Sequence, residues 1–454
     1  MGLARVKTFV LENCPSWLVV ELMRRFVTKS DYQSKRESIT FFQRANVAYG
    51  AKRQSRSARL LRVAFGLLGA EFPTTYARLI IGVTNQTQLD ASRRGALSSE
   101  ILDATKSLAV NITDATGWYQ LSRGLFSVGY FRAAWVAREN SIELSIREGE
   151  VSGAGANAVG RAIQAHLERR NFAEVEQLLQ KSADDIKPNS LRDIRDYLDM
   201  MQNKYVMPPL DPNSPNFEAE KLFSELITGK SVALVGPGSP SGHYGDEIDS
   251  ADTVVRIKFI DNTLLPADNS HGERTDISYV GGGNAFSAVQ AQYDFDPESV
   301  IIQNLKLLIS SKSLIKFLGT TPVYVFEPCE VLYRTPSVSG MRTSMQVLRY
   351  RPTNLKNFGF DFYSTLKPYS DEYTGFYESS SWRLGHANDF IVQGVYVRSM
   401  RAKDFCEHDP LSNFCFAQNL FKAEMFEIEP FGSSILALTP YQYVERLEDM
   451  LGDW

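Results

Sequence analysis

The run Ser231-Val-Ala-Leu-Val235, followed at once by Gly236-Pro-Gly238-Ser-Pro-Ser-Gly242, constrains this chain more than any other segment. Its first five residues are apolar and β-branched enough for a parallel strand covered on both faces. The glycine, proline and serine residues behind them stop that strand in a turn. Glycine lacks a Cβ and accepts positive φ, so backbone here can approach an anion closely. Amide N–H groups then have room to converge on a phosphate at the C-terminal edge of a sheet. Two more strands are expected near residues 253 and 276, so that Ser231 to Gly283 reads as three buried strands with a glycine-rich loop after the first.

Around this core the chain divides by pattern. From about Arg36 to Lys204 strand signals are nearly absent, and apolar residues recur at spacings of three and four, as in Ser99 to Val110, Trp118 to Ala137, Ala158 to Arg169 and Phe172 to Lys181. Val128-Gly-Tyr-Phe131 and Arg169-Arg-Asn-Phe172 repeat weakly, like the tight turn of a tetratricopeptide hairpin. The prolines and asparagines of Val206-Met-Pro-Pro-Leu-Asp-Pro-Asn-Ser-Pro215 permit neither helix nor strand and mark a linker. Beyond it a helix over Phe217 to Thr228 precedes strands near 231, 253, 276, 299, 322, 356 and 426 that alternate with helices, the last over Pro440 to Leu451. Parallel strands need crossover helices, so the expected class is α/β. The expected domains are a basic segment with an all-α, tetratricopeptide-like domain over 1–205, a linker over 206–216, and an α/β domain over 217–454. At 454 residues, 43% hydrophobic and 22% charged, the chain has room for two or three folded domains.

The loop continues as Tyr244-Gly245-Asp246-Glu247-Ile248-Asp249 and Ala251-Asp252-Thr253-Val254-Val255-Arg256. This cadence resembles the large sialylmotif of the sialyltransferases, a V-V-G-N-S-G loop followed by Y-G-x-x-I-D-x-x-D-x-V-x-R-x-N and later by a G-x-K/R-T-D-like step. The matching residues are Gly236, Tyr244, Gly245, Ile248, Asp249, Asp252, Val254, Arg256, Gly272, Arg274 and Thr275. A second resemblance lies in Pro336-Ser337-Val338-Ser339-Gly340-Met341, a helical stretch, and a strand ending Gly359-Phe360-Asp361-Phe362-Tyr363. It is similar to the small sialylmotif, P-S-T-G with a strand ending Y-G-F. In the bacterial lipo-oligosaccharide sialyltransferases the counterpart is S-G, a helix, and a strand ending G-I-D-F-Y. Gly385-His386-Ala387-Asn388-Asp389 stands where the family supplies its catalytic histidine. The motifs span roughly Ser231 to Met400.

The resemblance implies a Rossmann-like, mostly parallel sheet of the variant GT-A type. It also implies transfer of an acidic sugar from a cytidine monophosphate (CMP) donor by inverting displacement. Such a reaction needs a base for the acceptor hydroxyl and donors for the departing phosphate. Imidazole, with an ordinary pKa near roughly 6.5, is neutral yet basic at cytoplasmic pH, and His386 matches the family's base. Its plainer role is a helix-start histidine bonded to backbone. In the bacterial group two tyrosines six residues apart, just after the strand, take the phosphate charge without a metal, and Tyr363 and Tyr369 have that spacing. Tyr373 and Tyr377 lie nearby as alternative partners. The nucleotide-sugar contacts implied are Gly236, Pro237, Gly238, Ser239, Arg256, Lys258, Ser339 and Gly340. Pro237 and Lys258 replace the family's two nucleotide-contacting asparagines, and Lys258 substitutes a point charge for an amide. Ile391 replaces the glutamate that closes the histidine motif of the animal enzymes. These departures bear on the donor sugar more than on the reaction class.

Asp294-Phe295-Asp296 has the spacing of a glycosyltransferase metal motif but precedes a strand expected over Ser299 to Gln303 instead of following one, so it reads as a loop. No His/Cys cluster has zinc spacing, and no metal or other cofactor is expected. Cys14, Cys329, Cys406 and Cys415 do not fall where secreted animal sialyltransferases place their disulfide, which points to a reducing cytoplasm. The start carries charges among its apolar residues, unlike a signal peptide, and no apolar run reaches the ~18 to 20 residues of a membrane span. Residues 1–63 hold 13 Lys/Arg against 4 acids in a chain of net charge −4, leaving −13 on the rest. With Trp17 to Met23 interleaved, that segment suits an anionic membrane surface bearing lipid-linked acceptors, or packing on the next domain; no nucleic-acid motif accompanies it.

Sialic acid, 3-deoxy-manno-octulosonate (Kdo) and related nonulosonates share CMP as leaving group and a carboxylate beside the anomeric carbon. The donor therefore stays open, as does the acceptor, a glycan, lipid-linked glycan or glycoprotein. Two other classes compete. One is a dinucleotide enzyme, disfavoured because the third loop glycine is one residue late and no acid ends the second strand. The other is a binding or adaptor protein with a decayed transferase domain, suggested by Pro237, Lys258 and Ile391.

Overall fold

The computed structural model describes residues 113–127, 131–238, 242–257, 269–279, 305–310, 322–326, 330–365 and 409–450, with scattered positions before 112. Its contacts divide the chain into two compact units. The first takes Met1–Ala154, Gln393–Glu407 and Val444–Trp454, and the second takes Gly155–Val392 and His408–Tyr443.

In the first unit α1 (Ala115–Ser127) and α2 (Phe131–Glu150) form a hairpin around buried Trp118, Leu121, Leu125, Phe131, Ala134 and Ile142. Asp114 starts α1 by accepting the Thr116 amide at 2.9 Å, the usual work of an N-cap carboxylate. Ser141 donates its hydroxyl to the Ala115 carbonyl at 2.6 Å, tying the two helices together. One helix over Trp118 to Ala137 was the sequence expectation. Two helices are found, ending at Ser127 and beginning at Phe131 on either side of the Val128-Gly-Tyr segment.

The second unit holds α3 (Ala156–Glu168), α4 (Phe172–Ser182), α5 (Pro188–Met201) and α6 (Phe217–Ile227), then the sheet. Its strands are β1 (Ser231–Val235), β2 (Thr253–Ile257), β3 (Ile277–Tyr279), β4 (Leu307–Ser310), β5 (Val323–Val325), β6 (Asn354–Phe358) and β7 (Glu427–Ile428). Between them lie α7 (Gly245–Ser250), α8 (Ser339–Arg349) and α9 (Pro410–Lys422), and after β7 come α10 (Pro430–Leu436) and α11 (Pro440–Met450). From Val444 onward α11 groups with the first unit.

All six strand pairings are parallel, in the order β5-β4-β3-β2-β1-β6-β7. The protein is thus of the α/β class. Strands β1 to β4 are buried almost end to end, as a parallel sheet covered on both faces requires. One face packs Ala233, Val235, Val254 and Phe358 against Ile248 of α7, with Tyr244 beside them. Burying side chains of this kind stabilises by roughly 1.5 to 3 kcal/mol each for the larger ones.

Six strands lie where the sequence pattern expects them. The strand expected over Ser299 to Gln303 lies outside the described residues, and β4 begins instead at Leu307. The linker expected over 206–216 falls inside the second unit. The helices before it join the α/β half through side chains: Arg349 of α8 binds Asp193 of α5 at 2.5 Å and Asp196 at 3.0 Å. Asn419 of α9 donates to the carbonyls of Leu167 and Glu168 at 3.2 Å each. Among the described residues no helix is long and apolar enough to cross a membrane.

Candidate functional site

Strand order runs outward from β1 to β5, then jumps back across β1 to β6. Open parallel sheets bind ligands at such a reversal, outside the carboxyl ends of the strands. Here the reversal lies between the Gly236-Pro-Gly238 loop after β1 and the Gly359-Phe-Asp-Phe-Tyr363 segment after β6.

These two segments bind each other. Gly236 donates its amide to the Phe358 carbonyl at 2.7 Å, and Gly238 donates to the Gly359 carbonyl at 3.1 Å. A Cβ on Gly236 or Gly238 would sit 2.6 or 2.7 Å from the Gly359 oxygen, and Gly359 itself has φ of +68°. Close approach of backbone to backbone therefore accounts for all three glycines. The amides of Gly236 and Gly238, expected to cradle a phosphate, are already donated, and Pro237 has none.

Two buried side chains extend the tie. Glu429, just after β7, accepts the Gly359 amide at 2.6 Å. Across the crevice the His271 Nε2 lies 3.2 Å from the Gly238 carbonyl, while its Nδ1 lies 2.8 Å from the Ser270 hydroxyl. A carbonyl only accepts, so Nε2 carries the proton and Nδ1 accepts from serine. Glu429, Gly359, Gly238 and His271 form one continuous chain of hydrogen bonds over the edge of the sheet. Sequence reasoning missed both ends of it, because Glu429 and His271 lie outside the motif matches and only the fold brings them to the glycine loop.

Beyond Gly359 the chain makes a turn with two consecutive left-handed residues, Phe362 at φ 49° and Tyr363 at φ 61°. Bulky side chains rarely adopt this conformation, and it persists where surrounding contacts impose it. Asp361 supplies several of these: its carboxylate accepts the Tyr363 amide at 3.0 Å and the Thr365 hydroxyl, and its carbonyl accepts the Ser364 amide at 2.9 Å. Tyr443, fully buried, donates its hydroxyl to the Phe362 carbonyl at 2.5 Å.

The third wall is the start of α8. Phe360 reaches it from the turn: a Cβ on Gly340 would lie 2.1 Å from that ring, and one on Gly236 would lie 3.1 Å from it. One aromatic ring thus fills the space between the β1 loop and α8, and glycine at 340 admits it. No side chain caps this helix. Asn413 accepts the Val338 amide at 2.8 Å, and the Arg342 guanidinium donates to the Ser337 carbonyl at 2.9 Å and to the Tyr279 hydroxyl at 3.3 Å. The Ser337 hydroxyl, fully buried, has no hydrogen-bond partner. An uncapped helix start presents N–H groups and the positive end of the helix dipole to an anion.

Arg256, expected to contact nucleotide, is fully buried. Its guanidinium donates to the Arg274 carbonyl and the Thr275 hydroxyl at 2.9 Å and to the His271 carbonyl at 2.7 Å. Other residues of the matched segment also bond within the fold. Asp249 accepts the amides of Glu273 and Arg274 at 2.8 and 2.9 Å. Asp252 accepts the Ser231 amide and hydroxyl, which hold its carboxyl below the usual range. Gly245 gives its amide to the Asn269 carbonyl at 2.9 Å, where a Cβ would clash at 2.0 Å with the Asn269 side chain.

No protein-family model, curated protein or solved structure matches the chain. Of the expected site residues, Gly236 and Gly340 lie against the Phe360 ring and Gly238 against Gly359, Pro237 and Ser339 neighbour them in the chain, Tyr363 ends the turn after Phe360, and Arg256 is buried with its guanidinium bonded to the 271–275 segment. Ser239, Lys258, Tyr369, Tyr373, Tyr377, His386, Ile391 and the Asp294 to Asp296 pair lie outside the described residues. Among the described residues no group of three or more His, Cys, Asp or Glu side chains could hold a metal ion.

Proposed function

We propose that the chain is a glycosyltransferase moving an acidic sugar, sialic acid or a related nonulosonate, from its CMP-activated donor to an acceptor glycan. In this reading the catalytic half is a variant of the GT-A type, and the preceding tetratricopeptide-like helices position an acceptor. His386 takes the proton of the acceptor hydroxyl as its oxygen attacks the anomeric carbon. The bond from that carbon to the phosphate oxygen breaks on the opposite face, so the product is inverted and CMP departs as an anion. Tyr363 and Tyr369 donate hydrogen bonds to the phosphate as its charge grows.

The observation that carries the reading is the convergence at the sheet reversal of the segments that resemble the two sialylmotifs. The glycine loop, the Gly359–Tyr363 turn and the start of α8 meet around Phe360. With the loop amides donated to the turn, the seat favoured for the phosphate or the sugar carboxylate is the uncapped start of α8 at Ser339 and Gly340, beside the unpartnered Ser337 hydroxyl. The same commitment of the loop amides and of Arg256 favours the second reading, a binding or adaptor protein with a decayed site. A Kdo transferase is the variant of the first reading that differs only in donor.

The test is release of CMP from CMP-sialic acid, CMP-Kdo and other CMP-nonulosonates, with chelator present, by the native chain and by His386→Ala. Release from one donor, reduced about 100-fold or more in the variant, supports the transferase and names its sugar. Absence of release from every donor, together with absence of CMP binding by calorimetry, overturns it.

A further inference from the structure

We infer that Tyr443 is a positioning residue for Tyr363: its hydroxyl holds the left-handed turn through which Tyr363 is presented at the sheet edge. The functional half of this inference rests on the transferase reading, while its structural half stands without it.

Two consecutive aromatic residues in the left-handed region do not hold that conformation by themselves, since their side chains crowd the backbone. Asp361 restrains the turn from inside, through the Tyr363 amide and the Thr365 hydroxyl. Tyr443 reaches it from a separate element, α11, and takes the Phe362 carbonyl at 2.5 Å. Its ring is fixed independently, stacked on Phe414 of α9 with centroids 4.1 Å apart and planes 5° from parallel. A buried phenol needs an acceptor for its hydroxyl, and here that acceptor belongs to the residue preceding Tyr363. Burial holds the phenol well above its ordinary pKa, so it remains a donor across the working range of pH. The turn is thus referenced to two packed helices, which fix a side chain more closely than a loop does.

Tyr443→Phe removes one oxygen and leaves the ring and its stack. The expected result is a kcat for the donor identified above that falls about tenfold or more while its KM stays within about twofold, because misplacement of a reacting group acts on turnover. Phe362→Gly, which enters the left-handed region without strain, should restore most of that loss when combined with Tyr443→Phe. In parallel, Cα chemical shifts of labelled Phe and Tyr should report left-handed backbone at 362 and 363 in the native chain and its loss in Tyr443→Phe. An unchanged kcat, or left-handed shifts that survive Tyr443→Phe, overturns the inference. If the native chain turns over no donor, the transferase reading fails and the shifts alone decide whether Tyr443 holds the turn. Should Tyr443→Phe not fold, recovery of the fold by added Phe362→Gly supports the inference, and failure to recover overturns it.

Discussion

At the scale of single residues, a side chain in a motif match also has work within the fold. Arg256 sits where the motif places it, yet its guanidinium closes the loop from His271 to Thr275 from within. Removing a charged donor from buried acceptors leaves each without its partner, at about 1 to 3 kcal/mol per group. Arg256→Leu should therefore lower the unfolding free energy by about 3 kcal/mol or more in urea denaturation. Loss of CMP affinity with unchanged stability would show instead that Arg256 touches the ligand. The close backbone approaches at the candidate site were legible in the sequence at Gly236, Gly238, Gly245, Gly340 and Gly359, because a missing Cβ is a local feature, though the sequence did not say that the partner would be backbone or a ring of the same chain. Glu429, His271 and Tyr443 were not, because their role is created by chain segments that meet only in the fold.

At the scale of elements, two helix contacts make separate predictions. Asp193 and Arg349 join α5 to α8 in a buried pair, with Asp196 beside it, held above the usual carboxylate range chiefly by burial. Breaking such a pair from one side leaves an uncompensated charge, so Arg349→Met should destabilise by about 3 to 5 kcal/mol, and the double variant with Asp193→Leu should recover much of it. No recovery in a double-mutant cycle would mean that the pair is not coupled. In the first unit Glu448 of α11 starts α2 by accepting the Arg132 amide at 2.7 Å and its guanidinium at 3.3 Å. Burial nevertheless pushes its carboxyl up to about 7, with Arg132 only partly offsetting it. The folded state then holds a proton that the unfolded state releases from about pH 4.5 upward. This contribution to stability is complete below that pH and is lost as pH rises through 7. Glu448→Gln should flatten the pH dependence of the melting temperature between about 5 and 8 and make the variant the more stable chain at pH 8. A native profile without that fall would show that Glu448 is charged throughout. Neither contact was legible in the sequence, since each joins residues more than 150 positions apart.

At the scale of the whole molecule, the strand pattern was legible because a parallel sheet buried on both faces writes short apolar runs between turn signals, as in Ser231–Val235 and Thr253–Ile257. Division of the chain was less so: the proline-rich stretch over 206–216 reads as a boundary, but Asp193, Gln164 and Asn419 bind across the helices and the α/β half of one unit. The central claim is that a CMP ligand sits at the reversal between β1 and β6, against the start of α8. It is tested most directly by hydrogen exchange with mass spectrometry, comparing the native chain with and without saturating CMP. We predict added protection in peptides covering 336–346 and 359–365, with 231–238 already protected in the free chain by its bonds to Phe358 and Gly359. Binding of CMP that protects other segments and leaves these two unchanged would contradict the account.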